Sequence, residues 1–153
     1  MKKIFENWKR FINEDIKVGI NKAMDLFCPP STQDLKLNTK NRDAAIKAEH
    51  IQYGPLNVSE PGNYWSDIAD YWNTSEDAAL QSVCGNCVAF DISSRMDECM
   101  PGPVSDADGR LGYCWMHHFK CHSARSCRTW AEGGPIDNND VSADWQSRAN
   151  FGV

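Results

Sequence analysis

The distribution of cysteine constrains this chain more than any other feature. Six of its seven cysteines lie within residues 84–127, and the group opens with Cys84-Gly85-Asn86-Cys87. A Cys-x2-Cys pair allows one turn to present two sulfurs to the same metal centre, while further ligands arrive from later in the chain. We therefore interpret the middle of the protein as a metal or cluster site and the remainder as its scaffold.

Composition is compatible with a small core around such a site. The 153 residues are 41% hydrophobic and include six tryptophans, four tyrosines and six phenylalanines, whose large apolar surfaces can form a modest aromatic core. There is no apolar run of 18 residues and no secretory signal pattern at the N-terminus, so we expect no membrane span, no secretion by a signal peptide and a reducing compartment. The odd cysteine count also leaves one thiol unpaired in any scheme made only of disulfides.

Charge is divided unevenly along the chain. Residues 1–60 carry ten Lys and Arg against eight Asp and Glu, whereas residues 61–153 carry six against thirteen. Binding to nucleic acid requires clustered cations that contact phosphates. The acidic second part therefore argues against nucleic acid as a partner.

The first 30 residues predict an amphipathic helix that contacts a partner. Apolar residues recur at spacings of mostly three or four through residues 1–27, with charged residues between them, which is the helical pattern. Pro29 and Pro30 end this helix. Cys28 lies at its boundary, and we interpret it as a free thiol in a contact at the helix end.

The remaining pattern divides the chain into three further parts. Residues 31–62 are predicted to be a linker with a short helix at 42–50, residues 63–132 a cysteine-rich cluster-binding domain, and residues 133–153 a polar tail. Within the domain, the spacing of aromatic and aliphatic residues from Tyr64 to Trp72 predicts a helix with one aromatic face. Thr74 and Asp77 resemble a capping box that opens the next helix.

Turn-forming residues dominate beyond Cys87, including Pro101-Gly102-Pro103 and Asp106-Ala107-Asp108-Gly109. Metal bonds can fix a backbone that has few helix or sheet hydrogen bonds. The predicted fold class is therefore a small, irregular, α-rich fold with a few short helices, little sheet and an N-terminal amphipathic helix, stabilised by a metal cluster.

The cysteine region resembles the high-potential iron-sulfur proteins. The resemblance is carried by Cys84-Gly85-Asn86-Cys87, by Cys99 close to Pro101-Gly102, and by Gly112-Tyr113-Cys114-Trp115. It covers residues 84–114 and implies one [4Fe-4S] cluster held by Cys84, Cys87, Cys99 and Cys114. Phe90, Tyr113 and Trp115 are the candidate aromatic shell around that cluster.

Two cysteines lie beyond the part that resembles this family. Cys121 and Cys127 could replace Cys99 or Cys114, bind a second ion, form a disulfide or be buried thiols. Zinc, held by Cys84, Cys87 and two later Cys or His ligands, is the alternative to a cluster, and a chain without metal is the third possibility.

A second resemblance concerns most of residues 42–136. Its strings are Arg42-Asp43-Ala44-Ala45-Ile46-Lys47, Tyr53-Gly54-Pro55, Cys84 to Asp91, Phe119-Lys120-Cys121 and Gly133-Gly134-Pro135-Ile136. They are similar to small proteins of tailed, especially marine, bacteriophages. This resemblance implies a virion component, located in the virion or the host cytoplasm, that contacts other virion proteins through residues 1–27 and the C-terminal tail.

The motifs that would indicate an enzyme are lacking in the sequence. There is no nucleophile elbow, phosphate-binding glycine loop or His-Glu-x-x-His helix, and Asp106 and Asp108 beside Gly109 are typical of a solvated turn. We therefore expect a structural or accessory protein whose fold is stapled by a [4Fe-4S] cluster. A one-electron carrier and a structural zinc protein are the alternatives.

Overall fold

The computed structural model describes residues 28–149, which form a mixed fold of short helices around a small sheet. The described helices are α1 (Pro30–Gln33), α2 (Leu35–Lys47), α3 (Tyr64–Trp72), α4 (Glu76–Leu80), α5 (Ser94–Asp97) and α6 (Asn139–Arg148), with a 3-10 turn at Cys84–Asn86. The strands are β1 (Phe90–Asp91), β2 (Ser105–Asp106), β3 (Gly109–Cys114) and β4 (Phe119–His122). Among these helices, none has the length and apolar character needed to cross a membrane.

The sheet is built around β3, which pairs antiparallel with each of the other three strands. β1 and β4 flank its C-terminal half, where Phe90 and Phe119 both lie opposite Cys114. The turn before β3 ends at Gly109, whose φ of +150° favours glycine. The fold is therefore small and mixes short helices with a sheet, in which residues 107–108 form the turn between the paired strands β2 and β3.

Gly112 explains how the sheet packs at its centre. A Cβ atom at this position would overlap the Phe90 ring. Because Phe90 pairs with Cys114, its ring lies on the same face of β3 as Gly112. The Gly-Tyr-Cys string thus permits the Phe90 ring to approach the backbone of β3 closely.

The helix with an aromatic face is confirmed. Helix α3 buries Tyr64, Trp65, Ile68 and Ala69, and this face packs against Ala79 of α4 in a second hydrophobic cluster. The cap of α4 lies one residue later than predicted. The side chain of Ser75, rather than Thr74, accepts the hydrogen bond from the Ala78 amide.

Residues 31–62 contain more structure than a linker with a short helix. Asp34 caps α2 by accepting hydrogen bonds from two amides, so the helix begins seven residues before the predicted start. Asn41 Nδ2 of α2 donates to the His118 carbonyl at 2.7 Å, and the Lys120 amide donates to Asn38 Oδ1 at 2.8 Å. These bonds attach α2 to β4 and to the turn before it.

The predicted polar tail also folds onto the body over most of its described length. Asn138 caps α6, and the Ser142 hydroxyl, which is fully buried, donates to Asp91 Oδ2. The apolar periodicity that predicts a helix is absent here, because the buried positions of α6 include the polar residues Ser142 and Gln146. The predicted amphipathic helix at residues 1–27 lies outside the described residues.

Candidate metal centre

Cys99 and Cys28 are bonded to each other. Their sulfurs form a disulfide with a Cα to Cα distance of 5.6 Å. This corrects two predictions, because Cys28 is not a lone thiol and Cys99 is not free to serve as the third ligand of a cluster. The link joins the start of the described chain to the loop after α5, where Gln33 Nε2 also donates to the Cys99 carbonyl at 2.8 Å.

The other five cysteines are free, and four of them line one cavity of about 510 Å³. The four are Cys84, Cys114, Cys121 and Cys127. They come from three separate places in the chain: the 3-10 turn, the β3–β4 hairpin and the segment that follows it. The fold therefore brings together thiols up to 43 residues apart, as a shared ligand site requires.

Cys114 and Cys121 are placed together by the register of the sheet. Cys121 pairs with Gly112, and Cys114 lies two residues further along β3. Positions two apart on a strand face the same side, and directly paired residues share a face. Both thiols therefore project from one face of the β3–β4 hairpin as diagonal neighbours.

Cys84 reaches this hairpin through backbone hydrogen bonds. The Cys84 amide donates to the Arg125 carbonyl at 2.6 Å, and the Gly85 amide donates to the Ser123 carbonyl at 2.9 Å. Trp130 Nε1 holds the other side of the turn by donating to the Val83 carbonyl at 2.9 Å. The 3-10 turn is therefore fixed beside the end of β4, close to Cys121.

Cys127 is held by its neighbours on both sides. The Tyr64 hydroxyl donates to the Ser126 carbonyl and accepts from the Ser126 amide, each at 2.8 Å. The Arg128 amide donates to the His50 carbonyl at 2.8 Å. Cys127 itself is buried, and its Sγ lies 3.2 Å from Thr129 Oγ1.

The thiols influence one another's ionisation. The neighbouring thiols of Cys114 and Cys84, together with burial, raise the pKa of Cys121 well above its usual value. The pKa of Cys114 is lowered, chiefly because the Cys121 thiol donates a hydrogen bond to its sulfur. Cys121 therefore links Cys84 and Cys114 into a contacting trio of thiols, in which the hydrogen bond from Cys121 favours the thiolate of Cys114.

Cys127 and Cys87 lie around this trio. Burial raises the pKa of Cys127 to about 12 and also raises the pKa of Cys87. The nearby charges of Cys84 and Cys114 raise both pKa values further. Cys87 does not line the cavity; it packs in the main hydrophobic cluster with Phe90. Of the two thiols in the Cys-x2-Cys motif, only Cys84 thus opens onto the cavity.

Hydrogen bonds to sulfur accompany the buried thiols. Backbone N–H groups of His117 and Met116 lower the pKa of Cys114, and those of Ala131 and Ala89 lower the pKa of Cys87. An amide that points at a sulfur stabilises the thiolate, which is the form that binds metal. The turn after β3 is therefore shaped to favour ionised Cys114.

Three cations, Arg42, Lys120 and Arg125, contribute to the cavity wall, and among residues 28–149 no Asp or Glu lines it, although the chain has a net charge of −5. A cationic lining would favour an anionic, thiolate-bound group. This bias has a signal in the sequence that the cysteine spacing does not carry, because residues 110–131 contain no Asp or Glu.

The predicted aromatic shell is divided between the two faces of the sheet. Phe90 shares a face with Cys114, with which it pairs. Tyr113 and Trp115 are buried, but they occupy alternate positions and face the other side, where Trp115 Nε1 donates to Asp91 Oδ2 at 2.9 Å. Tyr113 and Trp115 are therefore corrected from cluster shell to packing residues of the opposite face.

The donor set has the chemistry of a thiolate-bound metal group, and Cys121 hydrogen bonds to both Cys84 and Cys114. Within residues 28–149, no three His, Cys, Asp or Glu side chains form a group that could hold a single ion as they stand. The chemistry of four cavity thiols, with amide donors and cationic walls, nevertheless suits a thiolate-ligated centre.

Comparison with known proteins adds no family. No family model matches the chain, and no curated protein or solved structure matches it either.

Proposed function

We propose that this protein binds a [4Fe-4S] cluster through Cys84, Cys114, Cys121 and Cys127, and that the cluster staples the fold. The observation that carries the proposal is the cavity itself, in which four free thiols lie beside three cations and, in the part of the chain that the structure describes, no carboxylate. Two members, Cys84 and Cys114, belong to the set inferred from the sequence. Cys121 and Cys127 replace Cys87 and the disulfide-bonded Cys99.

Metal analysis must separate a cluster from zinc. A single zinc ion requires four ligands that meet at one point, with each sulfur about 2.3 Å from the metal, whereas a [4Fe-4S] cluster binds each thiolate through a different iron and needs its ligands further apart. Cys121 hydrogen bonds to both Cys84 and Cys114, so these three sulfurs would have to separate around a cluster. We prefer the cluster on the resemblance of residues 84–114 to high-potential iron-sulfur proteins, and zinc is the alternative.

A stapling role follows from where the ligands originate. Individual backbone hydrogen bonds, and not a common sheet or helix, join the three elements that carry the thiols. These are the 3-10 turn, the β3–β4 hairpin and the segment around Cys127. A centre bonded to all three would cross-link them, and its binding free energy would become folding free energy. The resemblance to tailed-phage proteins makes the larger role that of a virion structural or accessory component without enzymatic activity.

A one-electron carrier is the second candidate. Tyr53 lines the cavity and is 84% exposed, so the cavity reaches the surface where a redox partner could dock. Reversible reduction and oxidation with retention of the iron would favour this role. Co-purification of the protein with assembled particles would favour the structural role.

The ligand set can be tested by anaerobic purification of single Cys→Ser variants, with analysis of iron, sulfide and zinc. We expect about four irons and four sulfides per chain in the wild type and in the Cys87→Ser control. The variants C84S, C114S, C121S and C127S should each lose most of the iron. A wild type without iron would overturn the cluster, and depletion in C87S with full loading in C127S would overturn the ligand set.

A further inference from the structure

Cys127 lies at the end of a chain of side-chain contacts. Its Sγ is 3.2 Å from Thr129 Oγ1, and Thr129 Oγ1 is 2.7 Å from His117 Nε2. The His117 ring stacks on the His50 ring with centroids 5.0 Å apart. His50 in turn accepts the Arg128 amide through its carbonyl, so the chain closes on the segment that carries Cys127.

The direction of each hydrogen bond follows from the proposed metal ligation. A metal-bound cysteine has no proton on sulfur, so Cys127 can only accept. The Thr129 hydroxyl must then donate to sulfur, and its oxygen is free to accept from His117 Nε2. His117 can provide this proton from Nε2, which lies 2.7 Å from the Thr129 hydroxyl oxygen.

We propose that Thr129, oriented by His117, is the positioning residue that tunes this centre by donating a hydrogen bond to the Cys127 sulfur. The inference rests on the proposed function, because it requires Cys127 to be a ligand. The stack of His50 on His117 holds the His117 ring in place. With His117 Nε2 donating to the Thr129 oxygen, the Thr129 hydroxyl proton is directed at the Cys127 sulfur.

The consequence for the centre is electrostatic. A hydrogen bond to a ligand sulfur withdraws negative charge and stabilises the more negative, reduced state of a cluster. Cys114 receives its bonds from backbone amides, which side-chain substitution cannot remove. Thr129 is a side-chain donor to a cavity thiol, so it can be changed without altering the backbone.

The test compares Thr129→Val, which keeps the shape and removes the hydroxyl, with Thr129→Ser, which retains the hydroxyl. Iron content and midpoint potential are measured anaerobically for both variants and for the wild type. We expect unchanged iron in all three, a lower midpoint potential in T129V and a potential close to wild type in T129S. His117→Phe should lower the potential by a smaller amount, because the hydroxyl remains but its orientation is lost.

The possible results distinguish the role of Thr129 from the proposed binding of a cluster. Wild-type protein without iron would contradict both. Full iron loading with the same potential in T129V, T129S and wild type would sink the role of Thr129 and leave the cluster intact. If T129V fails to load, resonance Raman spectra of wild type and H117F decide: an iron–sulfur stretch that shifts in D₂O in the wild type and less in H117F supports the inference, and equal shifts overturn it.

Discussion

The two faces of β3 are built differently. On one face, Tyr113 and Trp115 are covered by protein: Ser31 Oγ lies 3.1 Å from the Tyr113 hydroxyl, and Trp115 Nε1 donates to the fully buried Asp91. On the other face, Cys114 and Cys121 adjoin a cavity of about 510 Å³. One strand thus separates a face closed by side chains from a face that borders open volume.

The two faces differ in whether the protein's own side chains fill them and satisfy their polar groups. We call the face of β3 with Tyr113 and Trp115 the Asp91 face, and the face with Cys114 and Cys121 the thiol face. On the Asp91 face the buried polar groups are hydrogen bonded within the protein, since Asp91 accepts hydrogen bonds from the Ser93 amide, Trp115 and Ser142. The thiol face combines sulfur and cations with apolar side chains around its cavity, namely Ile46, Ile51, Leu111 and Phe119. If the thiols bind a metal centre as proposed, the free energy of that binding would contribute to closing this face.

The largest expected effect breaks the thiol face. Cys114→Ser removes a proposed ligand, which interacts with Cys121 and receives two amide hydrogen bonds. In protein purified anaerobically with metal, we expect the free energy of unfolding to fall by several kcal/mol, on the order of 5, because metal binding is coupled to folding. Urea unfolding followed by tryptophan fluorescence measures this change.

The matched control for Cys114→Ser is the same substitution in protein prepared without metal. There the loss should shrink to about 1 kcal/mol, since only thiol packing changes. Equal losses with and without metal would show that the thiol face is closed by protein alone.

The second effect breaks the Asp91 face and should not depend on metal. Asp91→Ala leaves the Trp115 indole N–H and the Ser142 hydroxyl buried without an acceptor. Unsatisfied buried groups cost about 1 to 3 kcal/mol each, so we expect a loss of roughly 3 kcal/mol. The exposed Asp137→Ala is the control and should change the free energy of unfolding by less than about 0.5 kcal/mol. A loss seen only in metal-loaded protein would contradict the independence of the two faces.

The third effect tests the contact between β1 and β3 on the thiol face. Gly112→Ala places a Cβ against the Phe90 ring. Overpacking of this kind typically costs about 1 to 3 kcal/mol. The double variant Gly112→Ala with Phe90→Leu should recover part of that loss, because a smaller side chain replaces the ring. Thermal melting of the wild type, Gly112→Ala and the double variant is the measurement, and no recovery in the double variant would show that the added Cβ does not act through the Phe90 ring.

The helices with an apolar face could be predicted, whereas the sheet and the polar helix could not. Tyr64 to Trp72 carries its burial pattern within nine residues, so local periodicity is sufficient. Strands β1, β2 and β4 have two to four residues each, which is too short for a period of two to be recognised. Helix α6 buries Ser142 and Gln146, so its polar composition resembled a tail.

The cysteine pattern pointed to the thiol cavity but identified only two of the four cysteines that line it, Cys84 and Cys114. The sequence pointed to residues 84–127, and four thiols in that span do share a cavity. Which thiols do so depends on the hairpin register, which pairs Cys121 with Gly112, and on the distant Cys28, which removes Cys99. Both are long-range facts that spacing along the chain does not encode.

The smallest expected effect is the pH dependence of the free energy of unfolding that His117 causes. The pKa of His117 is lowered to about 4 by burial and by the nearby His50 and His118. Because the unfolded chain binds its proton near pH 6.5, unfolding takes up this proton between pH 6.5 and 4. His117 therefore contributes stability that is complete above pH 6.5 and is lost as the pH falls through that window.

We expect about 1 kcal/mol from His117 after allowing for its partial exposure to solvent. Urea unfolding at pH 7 and at pH 5 measures this contribution in the protein as purified, with His117→Phe as the comparison. The His117→Phe variant should lose less stability than the wild type between the two pH values, and the remaining slope should include His118, whose pKa burial also lowers. A variant slope as steep as the wild type would mean that His117 is not held neutral beside Thr129, and the Thr129 bond to Cys127 would lose the partner that orients it.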